Sequence, residues 1–193
     1  MVNWGSEKYH PVVHLPDEYT ILDLSQGTWN QPPTDFSIGK YNEVRPNLYN
    51  TELFNGDRNV HMGIDIGGPV GTPCMAFMDG EISQFGYNPA AGDYGNVIIT
   101  KHEIDGSPLW ALYGHLDNTS IEGKGVGQKI SMGDVIAWFG KYEENGGWVP
   151  HLHFQLSLIE PLTHDMPGVV TLNDREQALI DYPDPRLVLG ALY

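Results

Sequence analysis

His61-Met62-Gly63-Ile64-Asp65, Tyr113-Gly114-His115-Leu116 and His151-Leu152-His153-Phe154 place four of the eight histidines and one carboxylate in short apolar or Gly-flanked segments. Metal ligands and their catalytic neighbours keep such company; solvated surface charge does not. The chemistry these residues suit is that of a zinc hydrolase. Three protein ligands with one open position acidify a bound water towards pKa ~7 and make it a nucleophile at neutral pH. Two further histidines can take its proton, orient it and stabilise the oxyanion formed on an amide carbonyl. No Cys joins the set, which argues against a closed structural site.

Spacing limits how these residues can meet. His61 and Asp65 are four apart, but Ile64, Ile66 and the neighbouring glycines make a helix improbable there. On an extended strand the two would share a face about 13 Å apart, too far for one ion, so the chain must bend between them, and Gly63 is placed to allow it. His151 and His153 project to one side of a strand about 7 Å apart, with Leu152 and Phe154 on the other. One can ligate while its neighbour points at the open position, and spacing does not say which. His115 ends the apolar run Leu112-Tyr113-Gly114, where its side chain can reach a shared cleft.

The elements that must position these residues read as all-β. From Val60 onward, short apolar runs alternate with turns, among them the hairpin signals Asp79-Gly80 and Asp105-Gly106. About eight strands at this spacing imply a curled antiparallel sheet or open barrel. The chain divides into an N-terminal extension (1–55), a core (56–162) and a helical tail (163–193). The extension holds one alternating run, Tyr19 to Leu24, and a loop from Trp29 to Pro33. Its aromatics Trp4, Trp29, Phe36, Tyr41, Tyr49 and Phe54 need burial, so it is expected to wrap the core. An Asn, Asp or Glu side chain from residues 30 to 58 is a candidate latency lid over the open metal position. In the tail, Asn173 or Asp174 can cap a helix over 175–180, and a further helical turn stops at Gly190.

Twenty-five acidic against 10 basic residues, a formal charge of −15, repel phosphate backbones and anionic headgroups. Nucleic acid and membrane surfaces are therefore not expected as partners, and no window approaches the roughly 18 apolar residues of a membrane span. The N-terminus carries no basic segment followed by an apolar stretch, and one cysteine excludes an internal disulfide, so the chain reads as cytoplasmic. That residue, Cys74, sits in an apolar run and reads as core. His10 and His14 are framed by Pro11 and Pro16 and do not read as a second metal site; His102 and His164, beside Glu103 and Asp165, read as solvated. Trp148, Tyr94 and Tyr113 are the aromatic candidates for a substrate groove.

The three histidine motifs together resemble the lysostaphin/LytM-type zinc endopeptidases, which cut the peptide part of peptidoglycan. Gly71-Thr72-Pro73, Asp79-Gly80, Tyr94-Gly95-Asn96 and Asn145-Gly146-Gly147-Trp148-Val149-Pro150 extend the likeness over about residues 55 to 160. The Asn-Gly-Gly-Trp lead-in and the tail from Tyr182 to Gly190 resemble, more narrowly, the LytM-type module of large fused kinase-like and aminotransferase-like proteins. The resemblance implies one Zn2+ per chain on His61, Asp65 and His153, with His115 and His151 activating water and stabilising the transition state. It implies a β-sheet groove with zinc on its floor and a metalloendopeptidase acting on Gly- or D-Ala-containing peptides or peptidoglycan stem and cross-link peptides. The alternative expectation is a catalytically silent module that binds zinc and peptide and regulates a partner.

Overall fold

The computed structural model describes residues 3–27, 32, 34–54 and 57–193. Trp29 and most of the loop expected around it lie outside these residues. Twelve strands follow in order: β1 (Thr20–Ile21), β2 (Ser37–Gly39), β3 (Arg58–His61), β4 (Ile64–Gly67), β5 (Pro73–Met75), β6 (Gly80–Asn88), β7 (Gly95–Ile104), β8 (Ser107–Leu116), β9 (Lys129–Ile130), β10 (Val135–Trp138), β11 (His151–Ser157) and β12 (Val169–Thr171). Eight form one sheet in the order β1-β2-β4-β11-β8-β7-β6-β9, antiparallel except for the β1–β2 pair. Two ribbons, β5–β10 and β3–β12, complete this strand-rich fold.

Alternation along the central strands sorts chemistry from core. Ile64 and Ile66 of β4 and Leu152, Phe154 and Leu156 of β11 are buried against Cys74, Ala137, Phe77 and Phe139, while Asp65, His151 and His153 occupy the intervening positions and face the other way. The β7–β8 hairpin turns at Asp105-Gly106, where φ values of 51° and 73° give the left-handed pair that a two-residue turn of this type needs. Asp79-Gly80 does not make the expected hairpin. β5 pairs with β10 instead of with β6, and Gly80 is the first residue of β6, where a Cβ would meet the Lys101 carbonyl. Gly80 is required by close approach, not by a turn.

The N-terminal extension is wired into the sheet. β2 pairs with β4, placing Gly39 opposite Asp65, and the segment around Val12 straps β5 through Met75 N–H to Val12 O at 2.8 Å. Phe54 is buried, and Trp4, Phe36, Tyr41 and Tyr49 are half-buried. The tail adds β12 to β3, then α1 (Arg175–Asp181) and α2 (Arg186–Leu189), which stops at Gly190 with φ 78°. Asp174 precedes α1 but does not cap it; its carboxylate accepts from Thr171 Oγ1 at 2.7 Å. Tail and extension are tied by Tyr41 Oη donating to Tyr182 O at 2.6 Å.

His102, expected in solvent, is buried at 3% exposure with its ring 4.3 Å from that of Phe77. Its Nδ1–H donates to Asp79 O at 2.9 Å, Nε2 lies 2.7 Å from Thr100 Oγ1, and burial pushes the imidazole down to about 4. A depressed histidine contributes nothing above its unfolded value and costs stability as pH falls below it, because only the unfolded chain then takes up the proton. Between pH 6.5 and 4 that loss amounts to about 3 kcal/mol. In urea denaturation, H102Q is expected to lose stability less steeply than wild type over this window, with the two slopes converging above pH 7.

Candidate metal centre

The β4–β11 ladder sets His153 opposite Asp65, and the β11–β8 ladder sets Gly114 opposite His153. His61 arrives from β3 across the bend at Met62-Gly63. A Cβ on Gly63 would lie 2.5 Å from His153 Cε1 and Nε2 and 2.9 Å from Phe154 O. The glycine thus lets the His153 ring pass directly over the backbone that returns Asp65 towards His61.

Three atoms converge there. His61 Nε2, His153 Nδ1 and Asp65 Oδ1 form a triangle with each side 3.1 Å. Among the described residues this is the one His/Asp/Glu/Cys group of metal-holding geometry. The second nitrogen of each ring is committed outward: His61 Nδ1–H donates to Lys40 O at 2.9 Å and His153 Nε2–H to Gln155 Oε1 at 3.0 Å. Both acceptors are oxygens that cannot donate here, so the inward nitrogens carry lone pairs. Three acceptors packed this closely at 1% and 3% histidine exposure leave no proton to share. A cation satisfies them: tetrahedral donors 2.0–2.1 Å from zinc lie about 3.3 Å apart, and the N,N,O set is one zinc accepts.

Asp65 Oδ2 is taken by Arg45 Nη1 at 2.7 Å. Burial alone would raise the Asp65 carboxyl, but His61 and Arg45 outweigh it and hold it well below the usual carboxylate range. Burial, then Arg45, pushes His61 down to about 4. Among the described residues no Asn, Asp or Glu side chain of 30–58 is hydrogen-bonded to His61, Asp65 or His153. Glu43 is instead turned to Arg45 and to Leu24 N.

His115 and His151 stand beside the triangle. His151 Nε2 is 3.8 Å from Asp65 Oδ1, with its Nδ1–H given to Val149 O at 2.7 Å. His115 gives its Nδ1–H to Asn145 O at 2.7 Å, and its ring centroid lies 4.1 Å from that of His151. Burial pushes both imidazoles down, and for His115 the neighbouring His151 and His153 add to it. His115 holds φ 65°, an uncommon conformation for a residue other than glycine. Its backbone is pinned on both sides, N–H to Tyr94 O and O to Gly140 N–H, each at 2.9 Å. Asn145, fully buried, bonds to Gly140 O and to both backbone groups of Trp148.

A groove of about 960 Å³ runs past these rings, walled by Tyr49, Phe54, Tyr142, Trp148, Val149 and Pro150. Trp148 lines it with its Nε1–H on Gly92 O at 3.1 Å. Tyr94 lies beneath, its ring 5.2 Å from His153 and its hydroxyl given to Met166 O. Tyr113 does not line the groove: it is fully buried in the core, hydroxyl to Met75 O at 3.2 Å, because strand alternation sends it to the face opposite His153. Arg45, Asn145 and Gln155 were not singled out from the residues as site groups. Gln155 carried a signal, since His151, His153 and Gln155 alternate along one strand face; a lone Arg in an irregular segment carries none.

Residues 59–162 match peptidase family M23. The chain is similar to an "uncharacterized metalloprotease" of Haemophilus influenzae, 30% identical over 127 residues covering 62% of this chain and 25% of that protein. It is also similar to a DD-carboxypeptidase/endopeptidase of Neisseria meningitidis serogroup B, 32% identical over 56% of this chain and 23% of the relative. A glycyl-glycine endopeptidase of Staphylococcus capitis is 34% identical over 49% of this chain and 24% of the relative. The chain therefore spans about a quarter of the length of these curated relatives. Among solved structures, the catalytic domain of lysostaphin from Staphylococcus simulans aligns with 74% of this chain and 92% of its own, at 23% identity and a TM-score of 0.48.

The crowding at Gly63 makes a direct prediction. Gly63→Ala forces the His153 ring or the β4–β11 ladder to move, so it is expected to lower stability by about 1–3 kcal/mol and to weaken zinc binding at least tenfold in chelator competition. Unchanged zinc affinity in the folded variant would show that the ring position tolerates the methyl.

Proposed function

Because the chain belongs to peptidase family M23, we propose that it is a zinc-dependent endopeptidase. His61, Asp65 and His153 hold one zinc per chain, and His115 and His151 move the protons of amide hydrolysis. The observation that carries this reading is the common tautomer logic of the four imidazoles, each with one N–H committed away from the centre. Zinc bound there supplies Lewis acidity to a carbonyl oxygen and acidifies water.

The protein's own groups do the rest. His151 Nε2 lies too far from Asp65 Oδ1 for a direct hydrogen bond, which leaves room for an attacking water or a substrate oxygen. Kept neutral by burial, His151 and His115 are free to accept a proton at Nε2. With the rings 4.1 Å apart, two positive charges repel, so the pair takes up one proton at a time. The protonated ring becomes the donor to the developing oxyanion or to the leaving amine. The aromatic and apolar groove suits an extended peptide, and the likeness to a glycyl-glycine endopeptidase and a DD-carboxypeptidase/endopeptidase supports Gly- or D-Ala-containing peptides or peptidoglycan stem and cross-link peptides as substrate class.

Metal analysis of the purified protein is expected to find about one zinc per chain, as a three-ligand site holds, and to find little in H61A or D65A. H115A and H151A should keep the metal and lose about 10²–10⁴ in kcat on oligoglycine or peptidoglycan-fragment substrates. A wild-type chain that stays metal-free when offered zinc overturns the reading. So does wild-type cleavage by H151A; peptide binding without cleavage by wild type would favour a regulatory binding module.

A further inference from the structure

The N-terminal extension reaches the metal centre through one side chain. Arg45 is 2% exposed and all three nitrogens of its fork are engaged: Nε to Glu43 Oε2 at 2.9 Å, Nη1 to Asp65 Oδ2 at 2.7 Å and to Tyr49 Oη at 3.0 Å, Nη2 to Lys40 O at 3.3 Å. Lys40 O also receives the Nδ1–H of His61. Residues 40–45 thereby grip two of the three converging side chains from behind.

The space for the guanidinium is built into the sheet. Gly39 pairs with Asp65 across β2 and β4, and a Cβ on Gly39 would lie 2.8 Å from Arg45 Nη2 and 3.0 Å from Asp65 Oδ2. Any side chain at position 39 would push into the guanidinium and the carboxylate it holds.

We propose that Arg45 is a positioning residue of the metal centre, which occupies Asp65 Oδ2 so that Asp65 presents Oδ1 alone and the remaining metal position stays open for substrate. The inference rests on Asp65 being a metal ligand. A carboxylate with both oxygens free can take a metal through either or both, and groups that orient a ligating side chain typically change metal affinity 10–100-fold when removed. Lysine cannot replace this fork, since one ammonium cannot span Glu43, Asp65, Tyr49 and the Lys40 carbonyl together.

The double variant E43Q/R45M removes the guanidinium together with the buried carboxylate charge that Arg45 offsets. With zinc as the probe and chelator competition as the readout, it is expected to bind 10–100-fold more weakly than wild type while unfolding as cooperatively. Its cobalt(II) form should show weaker visible bands, the mark of a raised coordination number. R45K, which keeps the charge and most of the volume, should lose affinity at least several-fold and covers the case in which the double variant does not fold. A folded E43Q/R45M, or failing that R45K, with wild-type zinc affinity overturns the role of Arg45. If wild type binds zinc and D65A does not, that result leaves the ligand assignment standing; if D65A binds zinc as tightly as wild type, both fall together.

Discussion

Three acceptor atoms, two of them on buried rings and each 3.1 Å from the other two, are the constraint on which the site depends. Lone pairs do not stay that close in a low-dielectric interior unless something positive lies among them or the frame cannot relax. Here the frame is two hydrogen-bonded ladders. A one-residue slip between β4 and β11 would send either Asp65 or His153 to the core face and an apolar neighbour into the cleft, so the hydrophobic contrast that specifies the register also specifies the site. The outward bonds of His61 and His153 then settle which nitrogen of each ring looks inward, a choice that differs between them: Nε2 for His61 and Nδ1 for His153.

The second pair of histidines is held by different means. His115 sits in a left-handed conformation that costs on the order of 1 kcal/mol for such a residue, and backbone bonds to Tyr94 and Gly140 hold it there. Its ring orientation comes from Asn145, which also fixes the backbone of Trp148. One buried amide residue therefore couples the His115 imidazole to the groove wall. The loop from Gly140 to Pro150 carries the groove wall and the orientation of His115 as a single unit, and its two glycines are required by geometry: Gly146 and Gly147 hold φ 85° and 88°, and a Cβ on Gly146 would strike Asp93 O.

The histidine motifs, the strand-rich class, the Asp105-Gly106 hairpin and the Gly190 stop were legible because each rests on local chemistry or short-range period. What was not legible depended on pairing across long separations. Asp79-Gly80 looks like a turn until β10, some 60 residues later, claims β5. His102 looks solvated beside Glu103, yet the strand turns it inward onto Phe77. Tyr113 looks like a groove residue by its nearness to His115, but alternation carries it to the core. The extension's place was half legible: its aromatics demanded burial, while the pairing of β2 with β4 was beyond anything its composition states. Gly63 was recognised as necessary, for a bend; the crowding by His153 is a stronger reason that only the packed ring reveals.

The part of the chain shared with its family begins at residue 59, and it contains all five site residues. Lys40 and Arg45 lie before it. The converging atoms therefore lie inside the stretch matched by the family, and the groups that hold two of them from behind lie outside it. Such a division has a physical consequence. Ligand identity determines which metal chemistry is available, whereas the hydrogen bonds behind the ligands tune how tightly and in what geometry a metal is held. An extension that supplies those bonds through a desolvated arginine sets one positive charge between two carboxylates, Glu43 at 2.9 Å and Asp65 at 2.7 Å, so that the charge holds the Asp65 side chain in place instead of acting on the cleft.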